Sequence, residues 1–204
     1  MWFLYKDDHE DKLVGMSTYR ANIDWWTGPG SVKDTTLKAG TKAYALEATK
    51  VGIRNGKLFK YNPAENAFHC PGDKRVNLKV GAGFAFDSYS GAGGLNGEDE
   101  ALSVFKYGQI VAPSEKYVFV EEEDPRGWNL GSWIVDPRPT GGWIDAIAIW
   151  HNTKSTLGFG DGHAVTHKWL EGSTIKAAKS GQFGLAYDAK NRDLQYMKHG
   201  YAYD

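Results

Sequence analysis

A histidine followed at a fixed distance by an Asp-Gly pair is the densest chemistry in this sequence: His151, nine residues, then Asp161-Gly162, inside IWHNTKSTLGFGDGHAVTHKW. An imidazole beside a turn carboxylate can hold a metal, move a proton, or pin two strands together through a hydrogen bond. The last use asks least of the surroundings, because Asp also favours turns by bonding its own backbone. The expectation is therefore a structural hydrogen bond between His151 and Asp161. Asp161-Gly162 reads as the two central residues of a type I′ hairpin turn, where φ is positive at both positions.

Other residues offer chemistry of different kinds. His163 and His167 have the i, i+4 spacing of two zinc ligands, but that spacing converges only on a helix. On a strand they would lie about 13 Å apart. Glu122, Glu123 and Asp124, joined by Asp136 and Asp145, supply oxygens of the kind calcium takes, six to eight at a time. An acidic run is otherwise a solvated face, and the expectation is no cofactor, with Ca²⁺ at these five residues as the alternative. No P-loop, Gly-x-Ser-x-Gly elbow or dinucleotide fingerprint is present, and no two acids are paired as a glycosidase requires. Cys70, in a Cys-Pro turn, reads as a small buried residue. The chain is expected not to be an enzyme. Trp25, Trp26, Trp128, Trp133 and Trp143 crowd two loops. Exposed, their faces could stack on sugar rings and make a polysaccharide site; otherwise they cover a core.

The elements that must position these residues are short. The strongest strand is Lys116–Glu122 (KYVFVEE), rich in β-branched and aromatic residues. Leu157–Thr166 reads as a hairpin, and Ala82–Ser90 as a strand. Thr41–Val51 carries helix formers, Gly56–Tyr61 a short helix or turn, and Ala67–Cys70 a short extended piece ending in the Pro71-Gly72-Asp73 turn. Residues 123–143, with Pro125, Pro137 and Pro139, form a long loop. A last hairpin is expected from Phe183–Tyr187 and Leu194–Met197. Residues 1–15 read as the end of a helix and then an acidic loop. Twenty-five glycines, 14% aromatics and 204 residues point to one turn-rich domain of the α+β class, 1–204. Net charge is −1, which excludes a field that would draw nucleic acid or anionic lipid. The single cysteine excludes an internal disulfide.

Five stretches, in order, resemble one family. They are LYKDDHEDKLVG, LFKYNPAENAFHCPGDKR with its Cys-Pro-x-Asp turn, FAFDSYS, APSEKYVFVEEED, and the His151 to Asp161-Gly162 tag. Together they are similar to the prepilin-type proteins named for an H-X9-DG motif, pseudopilin-like relatives of type II secretion and type IV pilus subunits. The resemblance spans most of residues 1–198. It implies a pseudopilin-like fold, an N-terminal helix packed on an antiparallel sheet. It also implies a non-enzymatic subunit whose partners are other pseudopilins, with the globular part outside the cytoplasm, periplasmic or at the cell surface. Such proteins are held in the inner membrane by a hydrophobic helix behind a basic leader. That leader and most of that helix are not found ahead of Trp2 here, so MWFLY reads as the stub of the helix. A carbohydrate-binding module using the loop tryptophans is the competing reading. Related major pseudopilins carry calcium in a C-terminal loop, which gives the calcium alternative its precedent, although no calcium-loop spacing is present.

Overall fold

A computed structural model describes residues 1–20, 24–126 and 131–203. Its frame is a four-stranded antiparallel sheet with strands in sequence order: β1 (Tyr89–Gly91), β2 (Tyr117–Glu121), β3 (Lys154–Phe159) and β4 (Ala164–Lys168). Four helices accompany it: α1 (Trp2–Asp8), α2 (Lys42–Asn55), α3 (Gly172–Lys179) and α4 (Arg192–Gly200). The α+β class is as expected. No helix among the described residues is long and apolar enough to cross a membrane.

β2 is buried at four of its five positions, which is why its side chains are apolar on both faces. Glu121, the last of them, is the exception in chemistry. Val120 stands opposite Ser90 of β1 on one side and Leu157 of β3 on the other. α2 starts where Thr41 accepts a hydrogen bond from the Tyr44 amide, 3.3 Å away, capping the first turn. The Gly28-Pro29-Gly30 loop lies directly on this helix. A Cβ on Gly52 would fall 2.0 Å from the Gly28 carbonyl, so only glycine permits the approach.

The C-terminal region departs from the sequence reading. Leu194–Met197 is helical, within α4, and no hairpin forms with Phe183–Tyr187. The signals are an N-cap and a 3.6-residue period. Asn191 accepts from the Leu194 amide at 2.8 Å, and Leu194 and Met197 are buried one turn apart. α3 was not expected at all. Ala82–Ser90 is extended but joins the sheet only at its end. Phe84 to Ser88 are buried, and two of their backbone groups are bonded to the 68–75 turn: Ser88 donates its amide to the Phe68 carbonyl, and Arg75 donates to the Asp87 carbonyl. Ala67 and Phe68 are the end of a 3₁₀ turn, Glu65–Phe68, and only His69 and Cys70 are extended.

The hairpin between β3 and β4 forms, with a different turn from the one expected. The Gly162 amide bonds the Phe159 carbonyl at 2.9 Å, which makes Gly160-Asp161 the central pair. Neither has positive φ. Gly162, at φ +96°, follows them, a turn closed by a single left-handed glycine. Both positive values sit at the other end of β3, at Asn152 (+56°) and Thr153 (+61°), between His151 and Lys154. That is the φ pattern of a type I′ turn. A β-branched residue there stores strain.

Three of the loop tryptophans are core. Trp26, Trp133 and Trp143 are 4%, 0% and 5% exposed. Trp133 meets Trp143 edge-on at 6.2 Å, Trp143 meets Trp169 at 6.0 Å, and the Trp133 indole donates to the Ala146 carbonyl. The proline- and glycine-rich loop is woven inward by bridges from Trp133 to Ala92 and from Trp143 to Val135. Trp25 is half-buried, with its indole N–H bonded to the Arg20 carbonyl. Trp128 lies outside the described residues. The ring faces of Trp26, Trp133 and Trp143 are thus turned into the core and offer no surface on which a sugar could stack.

Candidate functional site

His151 does not pair with Asp161. The six residues of β3 separate them by roughly 20 Å at ~3.3 Å per residue. Asp161 instead holds His163, whose Nδ1 lies 2.5 Å from its Oδ1 and whose ring stacks on Phe159. His167 stacks on Tyr196, so the i, i+4 histidines share no ligand position.

His151 turns to the end of β2. Its Nε2 is 2.9 Å from Glu121 Oε1 and 3.2 Å from Cys70 Sγ. Three segments far apart in sequence supply the group. Cys70 comes from the Cys-Pro turn, Glu121 closes β2, and His151 opens the strained turn into β3. Cys70 and Glu121 are 2% and 1% exposed, while the His151 side chain keeps 35% of its surface. Glu121 is fixed from its other oxygen, which accepts the Thr156 amide at 2.9 Å. Cys70 Sγ accepts the Gly72 amide at 3.3 Å. Burial, and after it the Glu121 carboxylate, push the Cys70 thiol up to about 11, so the sulfur holds its proton at neutral pH. Tyr89, across β1 from Glu121, is pushed up to about 12 by burial and by the same two groups.

A buried polar scaffold holds the Cys-Pro turn behind this group. Asp73 accepts from the Arg75 amide and guanidinium, at 2.9 Å and 2.8 Å, and from the Ser88 hydroxyl at 2.8 Å. Ser88 in turn accepts the Cys70 amide at 3.0 Å. The guanidinium lies 5.0 Å over the Trp150 ring. Cys70 is thus placed by an ion pair whose side chains are 4% and 0% exposed.

The five acids considered for calcium divide among several partners. Glu122, Asp124 and Asp145 line one cavity of about 130 Å³ with Glu98 and Arg126. Glu122 takes the Ser90 hydroxyl, Asp124 takes Arg126 through both oxygens, and Asp145 takes the Ile134 amide at 2.7 Å. Glu123 faces Arg75 and Trp150, and Asp136 is paired with Arg138. Burial raises Asp145 to about 7 and carries Glu122 well above the usual carboxylate range. Among the described residues, the three-residue set whose ligand atoms lie within 4.8 Å of one another is Cys70, Glu121 and His151. In the sequence, Cys70 reads as a small buried residue and Glu121 as the start of the acidic run weighed for calcium, and nothing there joins the two to His151. Their joint signal was present only as the Cys-Pro turn, the acidic strand end and the histidine of three separate stretches.

No protein-family model, no curated protein and no solved structure matches this chain.

Proposed function

We propose that the chain is the non-enzymatic globular domain of a pseudopilin-like subunit, working outside the cytoplasm in an assembly of the secretion or pilus type. One observation carries the reading. Four of the stretches that resemble the family meet in the fold, although the outermost of their residues, Cys70 and His151, are 81 positions apart. The Cys-Pro turn, the Ser-Tyr strand, the acidic end of β2 and His151 surround one cluster. The Asp161-Gly162 turn at the far end of β3 rests on α1, where a Cβ on Gly162 would lie 3.0 Å from the Phe3 ring. The tag therefore bridges the cluster and the N-terminal helix. In this reading α1 continues a longer hydrophobic helix that anchors the subunit and packs against its neighbours.

The arrangement at Cys70 favours a non-catalytic role. A Cys–His nucleophile uses one ring nitrogen for the sulfur and the other for the orienting group. Here sulfur and carboxylate both face Nε2, and the thiol is buried and protonated.

The test is fractionation of cells expressing the natural gene at its own locus. The protein is expected in the inner-membrane fraction, resistant to carbonate, with its globular part cut by protease added to spheroplasts. Recovery in the cytosol, protected from protease until lysis, would overturn the proposal.

A further inference from the structure

We propose that Cys70, Glu121 and His151 form a site for a divalent cation of the zinc class, three protein ligands with a fourth position open to solvent beside His151. This rests on the side chains alone and is independent of the pilin reading.

Convergence is the first argument. The imidazole Nε2 faces two groups at once, 2.9 Å to oxygen and 3.2 Å to sulfur. One ring nitrogen cannot donate to the carboxylate and accept from the thiol together. A cation at the shared point satisfies all three, displacing the thiol proton to solvent and taking the lone pairs of nitrogen, oxygen and sulfur. The geometry is near what an ion needs. With Zn–S of ~2.3 Å and Zn–N or Zn–O of ~2.0–2.2 Å, tetrahedral ligand edges are roughly 3.4–3.6 Å. The observed separations are a few tenths of an ångström shorter, a movement that rotamer adjustment of His151, the most exposed of the three, can supply.

Donor type chooses the ion. Thiolate and imidazole favour zinc-class metals over calcium or magnesium, which take oxygen shells. The carboxylate is already held by the Thr156 amide, and the sulfur by the Gly72 amide, so two ligands are oriented in advance. Bound there, the ion would tie the Cys-Pro turn, the end of β2 and the entrance to β3 to one another.

The experiment uses the whole chain, stripped with chelator and titrated with Zn²⁺ against a competing chromophoric chelator. One equivalent is expected to bind. The Co²⁺ form is expected to show a thiolate-to-cobalt charge-transfer band that Cys70→Ser removes. Glu121→Gln and His151→Gln should each weaken binding at least as much as the ~10–100-fold that loss of a ligand's hydrogen-bond partner costs. Should a variant fail to fold, the wild type still decides. Alkylation of Cys70 by iodoacetamide in the native protein must be slowed by Zn²⁺ and left unchanged by Ca²⁺. Absence of a one-to-one complex, a cobalt band that survives Cys70→Ser, or Zn²⁺-insensitive alkylation would each overturn the proposal.

Discussion

Replacing Asp73 by alanine removes one half of the ion pair that holds the Cys-Pro turn. The carboxylate is fully buried and accepts from the Arg75 amide, the Arg75 guanidinium and the Ser88 hydroxyl. Its loss leaves a buried guanidinium whose hydrogen bonds go to the Asp87 and Asp124 carbonyls, with the Trp150 ring beside it. Breaking a buried pair in this way costs about 3–5 kcal/mol, a large part of the 5–15 kcal/mol that holds a domain folded. For a chain of this length each kcal/mol moves the melting temperature by about 2–4 °C, so a fall of roughly 6–20 °C is expected. Thermal melts give that shift, and urea melts give the free energies, for Asp73→Ala, Asp73→Leu, Arg75→Met and the last two combined. Each single variant strands a charge that the combined one does not, so the combined loss should be clearly smaller than the sum. A loss under about 1 kcal/mol in Asp73→Ala, or strictly additive losses, would refute the reasoning and mean that water reaches the pair.

Stability should fall as pH rises through the weakly acidic range. Burial raises Asp145 to about 7 and Asp87 to about 6, and it raises Glu98 and Glu122 as well. The folded state then keeps protons that the unfolded chain releases near pH 4, so the penalty is absent below about 4 and grows up to about 7. Denaturant midpoints should be higher at pH 5 than at pH 8, and Asp145→Asn should flatten the difference; a midpoint that rises with pH would contradict this. Gly162→Ala should cost about 1–2 kcal/mol, since an L side chain is strained at φ +96° and its Cβ meets Phe3. Phe3→Ala should recover part of that cost in a double-mutant cycle, and full additivity would show that the turn does not rest on α1.

Local elements were legible where local rules decide. β2 announced itself by β-branched and aromatic residues, α2 by its helix formers, and the β3–β4 hairpin by Asp-Gly. Errors arose where tertiary contacts decide. Gly and Pro in residues 123–143 suggest a long loop, but Trp133 and Trp143 are buried in the core, Trp133 through a bridge to Ala92 and Trp143 through one to Val135. Leu194–Met197 reads as a strand in the sequence, whereas the Asn191 cap on the Leu194 amide starts a helix there. At the site, His151 and Asp161 were linked because they are near in sequence, while the true partners, Glu121 and Cys70, are 30 and 81 residues away. Sequence distance says nothing about which strand end faces which turn. The cluster's members were each visible, and their meeting was not.

The interval between His151 and Asp161 is a ruler. β3 is six residues long, with a turn of fixed handedness at each end. Adding one residue to it would reverse every side chain beyond the insertion, carrying Leu157 and Phe159 out of the core they now fill. Adding two would preserve the facing but lengthen the strut by about 6.6 Å, lifting the Gly162 turn off Phe3. A spacing of nine is thus set by the distance between a side-chain cluster and a helix, and a chain that keeps both must keep the count between them.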